Sequence, residues 1–375
     1  MKLGYLFPSY IGWNGEEPEV TGGAETHFLA LGRALARNMP VTCISFARSE
    51  AVVEKGLLRI VFLRAPIRAG LVNARANPLT RRVFDVLREV DVVQCQGVGH
   101  DLSLATTIWG RVHDKPTVVK GDGWSGATIA RILDPRHFCD AIAAQSRLEQ
   151  AQYPQKSYLC YDGVDTEFFH PELSTDRRGA VFVGRAIPSK GIEHLIFASS
   201  LGDFPATVIG PFPESDYTAF LCRIAASRPN VRLLGRVNKT TLREELQRAS
   251  VFVFPFVHYD FQGRYVKDPE LFGLACAEAM ACGTPIITSR NGAPAELVEQ
   301  FSCGITVNEG RPAEIAEAVC RLSNDPELWK RLSENALRAA NRVLAWDRVA
   351  ERYLRMYKQI AERTSSASRR WGGYS

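Results

Sequence analysis

Long apolar runs are missing from this chain. No window of its 375 residues approaches the 18 or so apolar positions that a membrane-spanning helix needs. The start, MKLGYLFPSYIG, holds only a short apolar run broken by Pro8, which is no signal peptide. No Lys/Arg run interleaved with aromatics occurs, and a formal net charge of +5 is too small to imply a nucleic-acid partner. The nine cysteines are scattered and odd in number, and none forms C-x-x-C, so neither a disulfide framework nor a redox pair is expected. They read as buried free thiols in a reducing compartment, which makes the cytoplasm the expected location. There is no internal repeat. What is present describes an ordinary globular protein: 46% hydrophobic and 23% charged residues, in a chain long enough for two domains with separate cores.

Short apolar runs alternate with helical patterns throughout. Strands are expected at 3–7, 41–46, 58–63, 90–94, 117–120, 141–144 and 157–159. Helices are expected at 24–36, 79–88, 102–112 and 146–151. After the polar stretch 171–178 the pattern restarts, with strands at 180–183, 206–209, 231–234, 251–254, 285–288 and 304–307. Helices at 189–199, 217–226, 241–249, 274–281 and 293–299 fall between them. Apolar runs of this length joined by crossover helices mean parallel sheets covered on both faces. Two successive sets predict two doubly wound α/β domains, with ligands outside the C-terminal ends of their strands. Two further helices, 326–340 and 346–361, close the pattern without intervening strands.

The richest stretch is PELFGLACAEAMACGTPIIT (269–288). Glu270 precedes a Phe272-Gly273-Leu274 turn, and Glu278 falls in the first turns of an Ala-rich helix. A glycine turn at a helix mouth points unpaired backbone N–H groups outward, toward phosphate or sugar oxygens. Each carboxylate can grip vicinal hydroxyls, because an ionised acid accepts several hydrogen bonds. Phosphate together with polyhydroxyl describes a sugar nucleotide.

The arrangement resembles the acid–seven residues–acid motif of retaining glycosyltransferases with the GT-B fold, of the glycogen-synthase-like and sucrose-synthase-like group 1 type (family four). Further segments carry the resemblance along nearly the whole chain. Gly22-Gly23 matches the glycine-rich loop after the first strand. DGVDTEFFHP (162–171) looks like N-G-V-D-x-x-x-F-x-P, with Asp162 replacing the usual asparagine; it reads as a structural turn in which Asp165 caps or pairs. VFVGRAIPSKGIEHLI (181–196) resembles V-G-R-x-x-x-x-K-G, and its Arg185 and Lys190 end a strand and begin a helix where both cations can reach a diphosphate. His194 reads as a helix-face residue. VRLLGRV (231–237) matches the element whose backbone reads the nucleotide base, here Arg236 and Val237. Gly210 matches a nucleotide-side glycine or a simple turn, and NGAPAELVE (291–299) resembles G-G-x-x-E-x-V/I.

The resemblance implies an acceptor-binding domain over 1–170 and a nucleotide-sugar domain over 171–350. A helix over 351–362 returns to the first domain, and a Ser-, Arg- and Gly-rich tail over 363–375 is expected to be disordered. It also implies front-face transfer from a nucleotide diphosphate sugar to an acceptor hydroxyl, without a covalent enzyme intermediate and without a cofactor. The acceptor can be a carbohydrate, lipid-linked or a small molecule. No D-x-D triplet occurs, which disfavours metal chelation of the diphosphate, so no metal site is expected.

Three departures from the family pattern stand out. PTVVKGDGWSG puts Asp122 where many relatives carry the histidine of T-x-H-G, which leaves its role and the donor preference open. FVHYDFQGRYVKDP, between Pro255 and Glu270, is longer than usual and reads as an acceptor loop or an ordered surface loop. The stretch 64–90 carries six arginines against Asp85 and Glu89; it is either a dock for an anionic lipid or polysaccharide, peripheral at a membrane's inner face, or a set of solvated helix faces.

The literal G-x-G-x-x-G at 121–126 is not on the first strand, and the next strand ends in Gln145 rather than an acid, so a nicotinamide oxidoreductase is a distant alternative. A non-catalytic sugar-binding homologue is another. A phosphorylase or nucleotide-sugar epimerase of the same fold lies closer.

Overall fold

The computed structural model describes residues 1–13, 18–19, 22–64, 80–121, 129–130, 132–172, 176–267 and 270–371, without the side chains of 365–371. The chain divides into two compact units. One comprises Met1–Gly163 together with the chain from Trp346 onward; the other is Val164–Ala345.

The strands of the first unit are β1 (Leu3–Tyr10), the two-residue β2 (Gly12–Trp13) and β3 (Pro18–Glu19), β4 (Val41–Ala47), β5 (Ala51–Lys55), β6 (Leu58–Arg64), β7 (Val92–Gln96), β8 (Thr117–Lys120), β9 (Ala141–Ala144) and β10 (Ser157–Leu159). Among the described residues, eight of them form one sheet in the order β10-β9-β8-β7-β1-β4-β6-β5. All its pairs are parallel except β5 against β6. β1 is buried on both faces, with Leu3 beside Val41 on one side and Val92 on the other. The strand order reverses at β1, which makes a topological switch point between β1 and β7. Helices α1 (Gly23–Leu35), α2 (Arg82–Leu87), α3 (Asp101–Val112) and α4 (Arg147–Gln152) cover the sheet.

In the second unit β11 (Ala180–Val183), β12 (Ala206–Ile209), β13 (Val231–Gly235), β14 (Val251–Phe254), β15 (Ile286–Ser289) and β16 (Gly304–Val307) are all parallel, in the order β13-β12-β11-β14-β15-β16. This is the doubly wound Rossmann order, and its switch point lies between β11 and β14. The helices are α5 (Ile192–Gly202), α6 (Asp216–Ala226), α7 (Lys239–Arg248), α8 (Leu274–Ala281), α9 (Ala293–Phe301), α10 (Pro312–Asn324) and α11 (Pro326–Ala339). Helix α10 and strand β5 were not expected. Helix α10 buries Ile315, Ala316, Val319 and Leu322 and packs along α5. β5 is a half-exposed edge strand of mixed Val, Glu and Lys.

The last helix, α12 (Trp346–Trp371), belongs to the first unit and packs against α1. Val349, Tyr353, Met356, Tyr357 and Ile360 form its buried stripe at helical spacing. The Tyr357 hydroxyl donates to Gln94 Oε1 in β7 at 2.5 Å. Composition suggested disorder from 363, but the helix continues to Trp371. The chain leaves the first unit at Gly163 and re-enters it at Trp346, earlier in each case than the expected 170 and 350.

The cysteines carry no disulfide among the described residues, and burial pushes Cys43, Cys95, Cys139 and Cys160 up to about 12, which makes them inert at neutral pH. Among the described residues no helix is long and apolar enough to cross a membrane.

Candidate active site at the switch point of the second unit

Strand β11 gives way, past Gly184 and Arg185, to a single 3-10 turn, Pro188–Lys190. Proline fits the first position of such a turn, where its missing N–H costs nothing. Gly191 then adopts φ +59, and a Cβ there would lie 2.2 Å from the Pro255 carbonyl oxygen, so only glycine lets this turn sit against the end of β14. The Val257 N–H donates to the Ser189 carbonyl at 3.0 Å and locks the same two segments together. Lys190 is thereby held over the Phe254 ring, its ammonium 5.1 Å from the centroid.

Glu270 meets it from the other side of the switch point. Lys190 Nζ donates to Glu270 Oε2 at 2.6 Å, and both side chains are largely buried. Glu270 Oε1 accepts from the backbone N–H groups of Leu271 at 3.0 Å and Phe272 at 3.3 Å. One carboxylate therefore ties the cation to the turn that opens α8. That turn centres on Gly273, whose φ of +89 lies in the left-handed region, and no side chain caps the helix behind it. Phe272 is buried and Leu274 half-buried. The result is a cation, an acid and an uncapped helix N-terminus beyond the C-terminal ends of the two central strands, a combination suited to a diphosphate and the sugar attached to it.

Glu278 lies further along α8, and no hydrogen bond or ion pair links it to Lys190 or Glu270 among the described residues. Its residue surface is only half-buried, yet its carboxyl sits deep enough that burial pushes it up to about 7, with Lys239 opposing. Arg185 is exposed at the end of β11, with no ion pair among the described residues. Gly210 follows β12 and donates its N–H to the Gly235 carbonyl at 2.9 Å. Arg236 is exposed and Val237 half-buried just past β13.

In the first unit Gly22 is the N-cap of α1 and Gly23 its first residue, both exposed. Gly22 has extended φ, so its conformation does not itself demand glycine. Asp122 and most of the 121–126 glycine motif lie outside the described residues, as do Arg68 and Arg75. Of the remaining arginines in 64–90, Arg82 pairs with Glu50 and Arg88 with Asp85.

The structure also gathers residues that the sequence pattern does not pair. The pattern makes Asp162 part of a structural turn. It is buried, and its Oδ1 lies 3.1 Å from both Lys120 Nζ and His27 Nδ1. Burial alone would raise its carboxyl; His27 and Lys120 reverse that and hold it well below the usual carboxylate range. Asp165 does both jobs expected of it, accepting from Phe168 N–H at 3.1 Å and pairing with Lys239 at 3.4 Å. Glu309, just after β16, holds the His258 backbone N–H at 3.0 Å and its Nδ1 at 2.6 Å. No spacing rule connects those two. Among the described residues, no group of three His, Cys, Asp or Glu side chains is placed to hold a metal ion.

Two Rossmann-like α/β units with parallel sheets define the GT-B class of fold. Residues 164–339, nearly all of the second unit, match the family model described as glycosyl transferases group 1. An uncharacterised glycosyltransferase of Methanocaldococcus jannaschii is 32% identical over 44% of this chain and 40% of its own. The MMP alpha-(1->4)-mannosyltransferase of Mycolicibacterium hassiacum is 26% identical over 83% of this chain and 69% of its own. The chain spans about half the length of the first curated relatives it matches.

Among solved structures, sucrose-phosphate synthase from Thermosynechococcus elongatus superposes with a TM-score of 0.72 at 18% identity, over 96% of this chain and 99% of that one. The Anabaena protein HepE, solved in complex with UDP, gives 0.68 at 18% identity over 98% and 100%. At such identities the likeness establishes the fold.

Proposed function

We propose that this chain is a retaining glycosyltransferase that moves a sugar from a nucleotide diphosphate donor to an acceptor hydroxyl without a metal. The observation that carries the reading is the Lys190–Glu270 pair at the switch point, at the mouth of an uncapped helix. Lys190, Arg185 and the first turn of α8 offset charge on the departing diphosphate, an electrostatic task of the oxyanion-hole kind. Glu270 orients the donor sugar through its hydroxyls, and Glu278 holds the ribose. Transfer occurs on the face the diphosphate leaves, and the leaving phosphate takes the acceptor's proton. The glycosyltransferase names of the relatives support the reaction class.

A thermal-shift panel of nucleotide diphosphate sugars tests this, because a donor at a hundred times its Kd stabilises by roughly 2.7 kcal/mol. A shift with reduced nicotinamide cofactor and with no nucleotide sugar would overturn it. Transfer should also survive EDTA. Complete loss restored by Mn²⁺ would replace the two cations with a metal as the charge carrier.

Glu278 adds a pH signature. Ribose hydroxyls donate to a carboxylate, so binding must draw off the proton of a carboxyl poised at about 7. Nucleotide diphosphate affinity should therefore rise between pH 6 and 8, with proton release below 7 visible by calorimetry in two buffers of different ionisation enthalpy. Glu278→Gln should abolish that release and weaken binding by roughly 1–3 kcal/mol. Without ligand the sign runs the other way. A carboxyl raised from 4.5 to about 7 favours the folded state most at low pH, and this contribution is lost as pH rises through that interval. Glu278→Gln should flatten the slope. An unchanged slope and unchanged proton release would remove Glu278 from the nucleotide site.

A further inference from the structure

The connection from β14 to Glu270 carries an architecture that phosphate chemistry leaves unused. Residues 258–266 fold back on themselves. Val266 N–H donates to the His258 carbonyl at 2.7 Å, Asp260 N–H to the Arg264 carbonyl at 3.0 Å, and Tyr259 and Tyr265 face each other as an antiparallel bridge. The fold is braced from within by Asp260, which is buried. Its Oδ1 accepts from the backbone N–H groups of Gln262 and Arg264 at 2.9 Å each, and its Oδ2 from Arg264 Nε at 2.9 Å. It is also pinned from outside at both ends. At the base, Glu309 clamps His258 and is itself held by Asn291 Nδ2 at 3.2 Å. At the tip, the Phe261 ring lies 5.4 Å from Phe220 in a near-parallel stack and 5.2 Å from Tyr217, both on α6.

This framework displays two rings. Tyr259 is 66% exposed and Tyr265 61%, with their centroids 5.3 Å apart, whereas Tyr5, Tyr217, Tyr353 and Tyr357 are fully buried. Tyr265 also stacks on the clamped His258 at 6.2 Å, so its position is fixed from behind. Rigid exposed tyrosines offer an apolar face and a polar tip with little conformational freedom left to lose on binding. The exposed neighbours Gln262, Arg264 and Lys267 supply polar groups around the rings rather than the continuous apolar surface a lipid tail needs. A pyranose ring has the matching chemistry: an axial C–H face that stacks on an aromatic ring, rimmed by hydroxyls that hydrogen-bond. The platform also belongs to the segment that carries Glu270, with Val257 bonded to the residue before Lys190.

We propose that Tyr259 and Tyr265 form a stacking platform for a pyranose ring of a carbohydrate acceptor. The acceptor role rests on the glycosyltransferase reading; the sugar-binding role does not.

The test applies the full-length wild type, Tyr259→Ala/Tyr265→Ala and Tyr259→Phe/Tyr265→Phe to an array of defined neutral glycans. Melting temperatures and nucleotide diphosphate affinities are measured in parallel. The wild type should capture a subset of glycans, the Ala pair should bind them roughly tenfold or more weakly, and the Phe pair should keep most of the signal. Nucleotide diphosphate affinity should be equal in all three. Glycan capture unchanged in a folded Ala pair, or no capture by the wild type, would overturn the platform. If instead the Ala or Phe pair lost nucleotide affinity, the rings would serve the base rather than a sugar. A wild type that binds glycans through these tyrosines but no nucleotide sugar would sink the glycosyltransferase reading and leave the platform standing.

Discussion

Lys190→Ala should lower transfer at saturating donor by roughly 30- to 1000-fold, about 2–4 kcal/mol of transition-state stabilisation. Glu270→Gln should cost a similar amount, and the double variant should be scarcely worse than either. The expectation rests on the 2.6 Å contact between them. Removing the ammonium leaves Glu270 held only by the N–H groups of Leu271 and Phe272, free to swing from the donor sugar. Removing the carboxylate breaks the contact that sets where the Lys190 ammonium rests, while the charge itself stays available to the diphosphate. Groups that act as a unit show this non-additivity, and a double-mutant cycle measures it. Binding of the free nucleotide diphosphate separates their roles. Lys190→Ala should weaken it, whereas Glu270→Gln should leave it unchanged or tighten it, because the diphosphate no longer competes with Glu270 for the cation. If the two losses simply add, the residues act independently. If Glu270→Gln abolishes nucleotide binding, the assignments of Glu270 and Glu278 are exchanged.

Most of the strand pattern was legible because parallel strands buried on both faces leave continuous apolar runs, as at Val251–Phe254 and Ala206–Ile209. β5 was not, since an edge strand reading AVVEK has neither a continuous run nor a clean alternation. Helix α10 does carry a signal, with Pro312 at its first turn and apolar residues at 315, 316, 319 and 322, but it falls between two stronger patterns. Lys190 and Glu270 could each be singled out from local motifs. Their mutual contact could not, because it depends on how β11 and β14 neighbour one another in the sheet. The same holds for Glu309 and His258. Local sequence identifies which groups are chemically capable; the sheet order decides which of them meet.

At Asp162 two departures from the family pattern meet in space, and the second large expected effect arises there. The resemblance places asparagine at 162. The match that puts Asp122 at the family's histidine also puts Lys120 at the threonine of T-x-H-G. In this chain a carboxylate and an ammonium occupy those positions, both buried, 3.1 Å apart, with His27 on the same oxygen. They sit where the chain crosses between units, next to Gly163, where a Cβ would fall 2.3 Å from the Trp346 ring. Lys120→Met should destabilise the first unit by about 3–5 kcal/mol, because it takes from a buried carboxylate one of the two cationic groups that face it, and Asp162→Asn should do likewise by removing the carboxylate 3.1 Å from a buried ammonium. Asp162→Asn with Lys120→Thr removes both charges and should recover most of either loss. The pH dependence distinguishes this from a packing effect. A carboxyl held below its ordinary value of 3.8 contributes stability above that value, and the contribution fades as pH falls toward the folded-state value. The wild type should therefore lose stability on acidification more steeply than the neutral double variant. Hydrogen exchange over peptides covering 117–121 and 157–163, with melting curves from pH 3 to 7, would measure both effects without assuming that two units unfold as one. If the double variant is as unstable as the sum of the singles, or as steep in acid as the wild type, the two side chains do not compensate one another.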